Sequence, residues 1–111
     1  MTHWHKDLAA GRWKQLSFIE QMAHIGSEVE RALNWQAKQN PDYARQACER
    51  SLELIDLTLD TLKTYARLKE VARMREAIVD YFFGTNQFQY TAESLRSYFF
   101  NFVFAARKDR S

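Results

Sequence analysis

Four carboxylates, Glu49, Glu53, Asp56 and Asp60, stand four, three and four residues apart. On a helix that spacing puts them in one line. Such a stripe offers half of a carboxylate site for Mg²⁺. The other half needs a matching acidic motif on a second helix, and "SEVER", with Glu28 and Glu30, is a poor copy of one. Di-iron sites in helical bundles use Glu-x-x-His motifs, and the chain has none. Read without a second half, the stripe is a solvated face that pairs with Arg67, Lys69 or Arg73. Pairs of that kind contribute about 0–1 kcal/mol each.

Other chemistries have still less to work with. His3 and His5 in "HWH" face one way only in an extended strand, and His24 is the one remaining histidine. Structural zinc asks for four ligands. Cys48, the single cysteine, lies among Ala44, Ala47 and Leu52 on an apolar stripe. That setting predicts a buried structural thiol, since nucleophilic thiols sit in polar, electropositive surroundings. The three glycines are scattered, so no phosphate-cradling loop is present. Ser27 lies three residues from His24, but nothing around them reads as an oxyanion hole. No cofactor is implied.

The elements that position these residues are helical. The chain has 111 residues, 46% hydrophobic and 27% charged, with one proline and three glycines. That is one globular domain with enough chain for a core. Sixteen Lys and Arg against fourteen Asp and Glu give a net charge of +2, too even for a general nucleic-acid binder. No apolar run is long enough to span a bilayer, and no signal-peptide core follows Met1. The expected compartment is the cytoplasm, with no membrane association.

Local signals divide the chain into a short N-terminal extension, residues 1–16, and a helical bundle, residues 17–111. Ser17 and Glu20 form a capping box, and Phe18, Met22, Ile25, Val29, Ala32 and Leu33 then recur at helical spacing to about Gln39. Gly26 interrupts this helix, at about 1 kcal/mol against alanine, which points to a close helix–helix contact. Asn40 and Pro41 open a second helix that carries Ala44, Ala47, Cys48, Leu52, Ile55, Leu59 and Leu62 and fades near 61–64. A third carries Leu68, Val71, Ala72, Ile78, Val79 and Phe82 and stops at Gly84, expected as a left-handed C-cap. After the loop "GTNQFQY", Thr91 caps a fourth helix, with Tyr90 and Leu95 as a hydrophobic staple. The predicted fold is all-α, an antiparallel four-helix up-and-down bundle. In the extension, Trp4, Leu8 and Trp13 either form a short helix across one end of the bundle or an arm, with Gly11 as a break.

The stretch "REAIVDYF" places Arg75 where the third helix should show its apolar stripe. It resembles the signature of the HEPN superfamily of small helical-bundle proteins: an arginine, a polar residue, apolar residues, then a histidine and often a tyrosine. Arg75, Glu76, Ile78 with Val79, and Tyr81 take those places, and Asp80 stands at the histidine. In active members the arginine and histidine cleave RNA without metal, typically across a dimer interface. An aspartate, with an ordinary pKa of about 3.9, does not replace the imidazole. The resemblance therefore implies a degenerate RNA or nucleotide binder, with Arg75, Asp80 and Tyr81 as candidate ligand-binding residues. The carboxylate stripe is separately similar to half of the metal site of the all-helical nucleotide pyrophosphohydrolases, with Glu53 and Asp56 as that half.

Arg75 also has an architectural reading, as the ion-pair partner of a carboxylate on a neighbouring helix, Asp56 or Glu28. It does not pair closely with Asp80, which lies about 140° around the helix. The fourth helix, "LRSYFFNFVFAAR", is apolar nearly all round. Tyr98, Phe99, Phe100, Phe102 and Phe104 point in too many directions for one core, so this helix is expected to form a subunit interface. The alternative cover for it is the N-terminal arm. The leading functional expectation is a non-enzymatic interaction module that forms a homo-oligomer or binds a protein partner.

Overall fold

The computed structural model describes residues 10–110 and is helical throughout, with no strand among those residues. Five helices follow one another: α1 (Ala10–Trp13), α2 (Phe18–Ala37), α3 (Pro41–Leu59), α4 (Tyr65–Phe83) and α5 (Ala92–Arg110). Helix α2 is central, packing closely against both α3 and α5, while α4 packs on α3. No helix is long and apolar enough to cross a membrane among the described residues.

Side-chain caps set most of the helix starts. The Ser17 hydroxyl accepts from the Glu20 amide at 3.1 Å, and the Glu20 carboxylate accepts from the Ser17 amide at 2.9 Å. Asn40 caps α3 ahead of Pro41, and Thr64 caps α4. Thr91 caps α5 by accepting from the Ser94 amide at 3.0 Å, and the Ser94 hydroxyl in turn accepts from the Thr91 amide. Both predicted staple residues join the core, Leu95 fully and Tyr90 in part.

Two expectations fail at glycines. Gly11 lies within α1 instead of ending it, in open space. Gly84 ends α4, but with φ −106° it is extended and not left-handed. The turn is made differently. The carbonyl of Asp80 accepts from both Gly84 and Asn86 amides, and Asn86 takes the left-handed conformation at φ 57°. What glycine supplies at 84 is room, since a Cβ there would stand 3.0 Å from the Asp80 carbonyl oxygen.

The core gathers Met22, Ile25, Val29 and Leu33 of α2 with Cys48, Ile55, Val71, Ile78, Leu95 and Phe99. Gly26 makes the predicted close approach, against Phe99 of α5. Leu68 and Ala72 are exposed, although the sequence pattern places them on the buried stripe of α4, whose inner face is Val71, Met74, Ala77 and Ile78. Trp13 is part of the same core. Its indole N–H donates to the Thr58 hydroxyl at 2.9 Å, and its carbonyl accepts from the buried Gln21 amide at 2.8 Å. The end of the predicted extension is thus fastened to α2 and α3. Trp4, Leu8, His3 and His5 lie outside the described residues.

Candidate functional site

Arg75 projects from the flank of α4, about 90° from the middle of its buried face, and so meets the neighbouring helix. Its Nε donates to Asp56 Oδ1 at 2.8 Å and its second guanidinium nitrogen to Oδ2 at 3.3 Å. This two-pronged pair holds the guanidinium even more firmly protonated than usual, mainly through the hydrogen bonds it donates to Asp56. Asp56 was one of the two carboxylates the sequence offers as a partner.

The other two residues of the signature-like stretch are engaged elsewhere. Asp80 Oδ2 accepts from the Phe88 amide at 3.0 Å, which ties the loop 84–91 back onto α4. Asn86 continues the knot, its side chain bonding Tyr90 at both amide and carbonyl. Tyr81 donates its hydroxyl to Gln36 Oε1 at 3.0 Å, on α2. Arg75, Asp80 and Tyr81 therefore serve three different contacts, with α3, the loop and α2.

The carboxylate stripe is also divided. Asp56 is held by Arg75, while Glu49 and Asp60 are exposed and Glu53 half-buried. Among the described residues no three His, Cys, Asp or Glu side chains are gathered as a metal would need. Cys48 is fully buried, and burial pushes its thiol up to about 12. His24 lies beside the Trp13 ring, at 5.8 Å between centroids.

The five aromatics of α5 separate by direction. Phe99 is 2% exposed, packed on Gly26, and so belongs to the chain's own core and not to an exposed interface. Phe102 is half-buried, with Phe18 edge-on at 5.9 Å. Tyr98 leans towards α4 and donates its hydroxyl to Glu70 Oε2 at 2.7 Å. Burial, helped by that bond, pushes its pKa up. Phe100 and Phe104 point outward, 61% and 57% exposed, with their rings stacked at 6.0 Å.

Beside this outward pair runs an open groove of about 700 Å³ along the seam of α2 and α5. Val29, Leu33 and Phe100 give it an apolar floor and wall. Arg96 spans the seam, with Nε 2.9 Å from Glu30 Oε1 and an amino nitrogen 3.2 Å from Asn34 Oδ1. Sequence reasoning finds the aromatics of the groove but not Arg96, Glu30 or Asn34, because only the packing of two distant helices joins them. A smaller cleft of about 270 Å³ separates α4 from α5 and is lined by Lys69, Glu70, Arg73, Tyr90 and Tyr98.

Comparison with protein-family models, with curated proteins and with solved structures found no match to this chain.

Proposed function

We propose that this chain is a non-enzymatic helical interaction module that associates with a second copy of itself through the outward face of α5. The observation that carries this reading is the stacked pair Phe100–Phe104, more than half exposed beside a groove of about 700 Å³. A soluble monomer seldom leaves such aromatic surface uncovered, and aromatic residues are enriched at protein interfaces.

The supporting frame we propose is an antiparallel up-and-down bundle of the four long helices. Contact order favours it. Between α2 and α3, Trp35 meets Tyr43 at the start of α3 while Gln21 meets Thr61 just past its end. Between α2 and α5, Phe18 meets Phe102, Gly26 meets Phe99 and Glu30 meets Arg96. In both pairs one chain number rises as the other falls.

Light scattering tests the reading. The expected result is a particle of twice the 13.2 kDa chain mass, reduced to monomer by replacing Phe100 and Phe104 together with serine. A clean monomer for the intact chain at high concentration defeats it.

An RNA or nucleotide binder is the second reading. It draws on Lys69 and Arg73 beside Tyr90 and Tyr98 at the α4–α5 cleft, since cations and aromatic rings together suit single-stranded nucleic acid. The three signature-like residues add little to it, because Arg75, Asp80 and Tyr81 are each spent on a contact within the chain. Thermal stabilisation by short RNAs that weakens with salt would favour it. Absence of any shift leaves the interaction module.

A further inference from the structure

The outward face of α5 carries more than two phenylalanines. Glu93, Ser97, Phe100, Phe104 and Arg107 succeed one another at spacings of four, three, four and three residues, and all five are exposed. That alternation is the spacing of a helix-pairing seam, which needs an average period of about 3.5 residues. At about 100° per residue the five fall within one stripe about 80° wide, opposite the buried Leu95 and Phe99.

The charges on the stripe are arranged about its middle. Glu93 lies seven residues before Phe100 and Arg107 seven residues after it. Neither has an ion-pair partner within the chain among the described residues. A twofold axis through Phe100 therefore sets Glu93 opposite the partner's Arg107, and Arg107 opposite the partner's Glu93. The same operation brings Arg96 onto the partner's Phe104. That guanidinium is already held in place by Glu30 and Asn34, and a positioned guanidinium can stack over an aromatic face. A parallel pairing would instead oppose Glu93 to itself and Arg107 to itself, a like-charge arrangement that costs affinity.

Building on the self-association proposed above, we infer that two copies pair through α5 in antiparallel order about a twofold axis at Phe100, with reciprocal Glu93–Arg107 ion pairs closing both ends of the seam. The Phe100 rings meet at the axis. Each Phe104 lies on the partner's Arg96, and the span between the two closing ion pairs is about 21 Å, fourteen residues at 1.5 Å each. The occupant is a second copy because the stripe is complementary to its own reverse.

Sedimentation of the full chain and three variants decides. By symmetry each substitution breaks two ion pairs and creates two repulsions, so E93R or R107E alone should weaken the dimer about tenfold or more at low salt. The exchange E93R/R107E should recover affinity to within about threefold of the starting chain, because the pairs reform with their signs reversed. Both positions are exposed, and unchanged helicity in the exchanged variant excludes misfolding as the cause. A dimer that ignores both single reversals, or one the exchange fails to restore, overturns the antiparallel seam while leaving self-association standing. A full chain that stays monomeric at every concentration overturns both.

Discussion

Gly26 of α2 and Phe99 of α5 stand so close that a Cβ on the glycine would lie 2.8 Å from the phenylalanine's own Cβ. The atom it would meet is fixed to the backbone of α5, so a rotamer change does not relieve the clash. Only a shift of one helix against the other does. Gly26→Ala gains about 1 kcal/mol of helix propensity and loses about 1–3 kcal/mol to overpacking. The net expected from denaturant unfolding is a loss of about 1 kcal/mol, and Gly26→Val should lose more. A more stable Gly26→Ala protein would mean that α5 moves away freely.

The pair between Arg75 and Asp56 is open to water, with side chains 37% and 55% exposed. Screening limits it to about 0–1 kcal/mol. Arg75→Met should therefore change stability by less than about 1 kcal/mol in either direction, and the coupling in a double-mutant cycle with Asp56→Asn should shrink as salt is added. A variant that keeps its melting temperature but loses a ligand seen with the parent chain would make Arg75 a binding residue.

Helix ends were legible in the sequence because capping is local. Ser17 with Glu20, Asn40 with Pro41, and Thr91 announce their helices within four residues. The inner faces were less legible where polar residues turn inward. Gln21, Ser51 and Thr58 are buried. Ser51 donates to the Cys48 carbonyl one turn back on its own helix, but Gln21 and Thr58 find partners no local pattern displays, the Trp13 carbonyl and the Trp13 indole. The polarity of Ser51 and Thr58 hides the real stripe of α3, which includes Leu54. The candidate site divided in the same way. The aromatics of α5 are visible as types, whereas which of them faces out depends on where α2 lies. Likewise the choice of Asp56 for Arg75 is made by the packing of α3 on α4.

Asp80 holds the loop through an acceptor oxygen, its Oδ2 taking the Phe88 amide at 3.0 Å. Asp80→Asn keeps an amide oxygen in that place and should cost little. Asp80→Ala leaves the Phe88 N–H to water and should lose about 0.5–1.5 kcal/mol. Hydrogen exchange at the Phe88 amide provides the local readout, faster in the alanine variant alone. Equal damage from both substitutions would show that the charge itself is what the loop needs.

Cys48 gives the fold a dependence on alkaline pH. Its thiol is fully buried and pushed up from 9.0 to about 12, chiefly by loss of solvation. Below pH 9.0 the thiol is protonated in both folded and unfolded chains, and its burial is fully tolerated. Between 9.0 and about 12 the unfolded chain releases the proton while the folded chain keeps it. The unfolded state then binds fewer protons, so stability falls as pH rises, by up to about 1.4 kcal/mol per unit. Cys48→Ala removes this term and leaves the other titrating groups in place. Its stability relative to the parent chain should therefore improve steadily from pH 9 to 10.5 in urea unfolding, whatever the small cavity costs at neutral pH. The same burial should make the native thiol react with a disulfide reagent only as fast as the chain opens. Parallel pH profiles for the two proteins, or rapid labelling of the folded chain, would show that Cys48 reaches solvent.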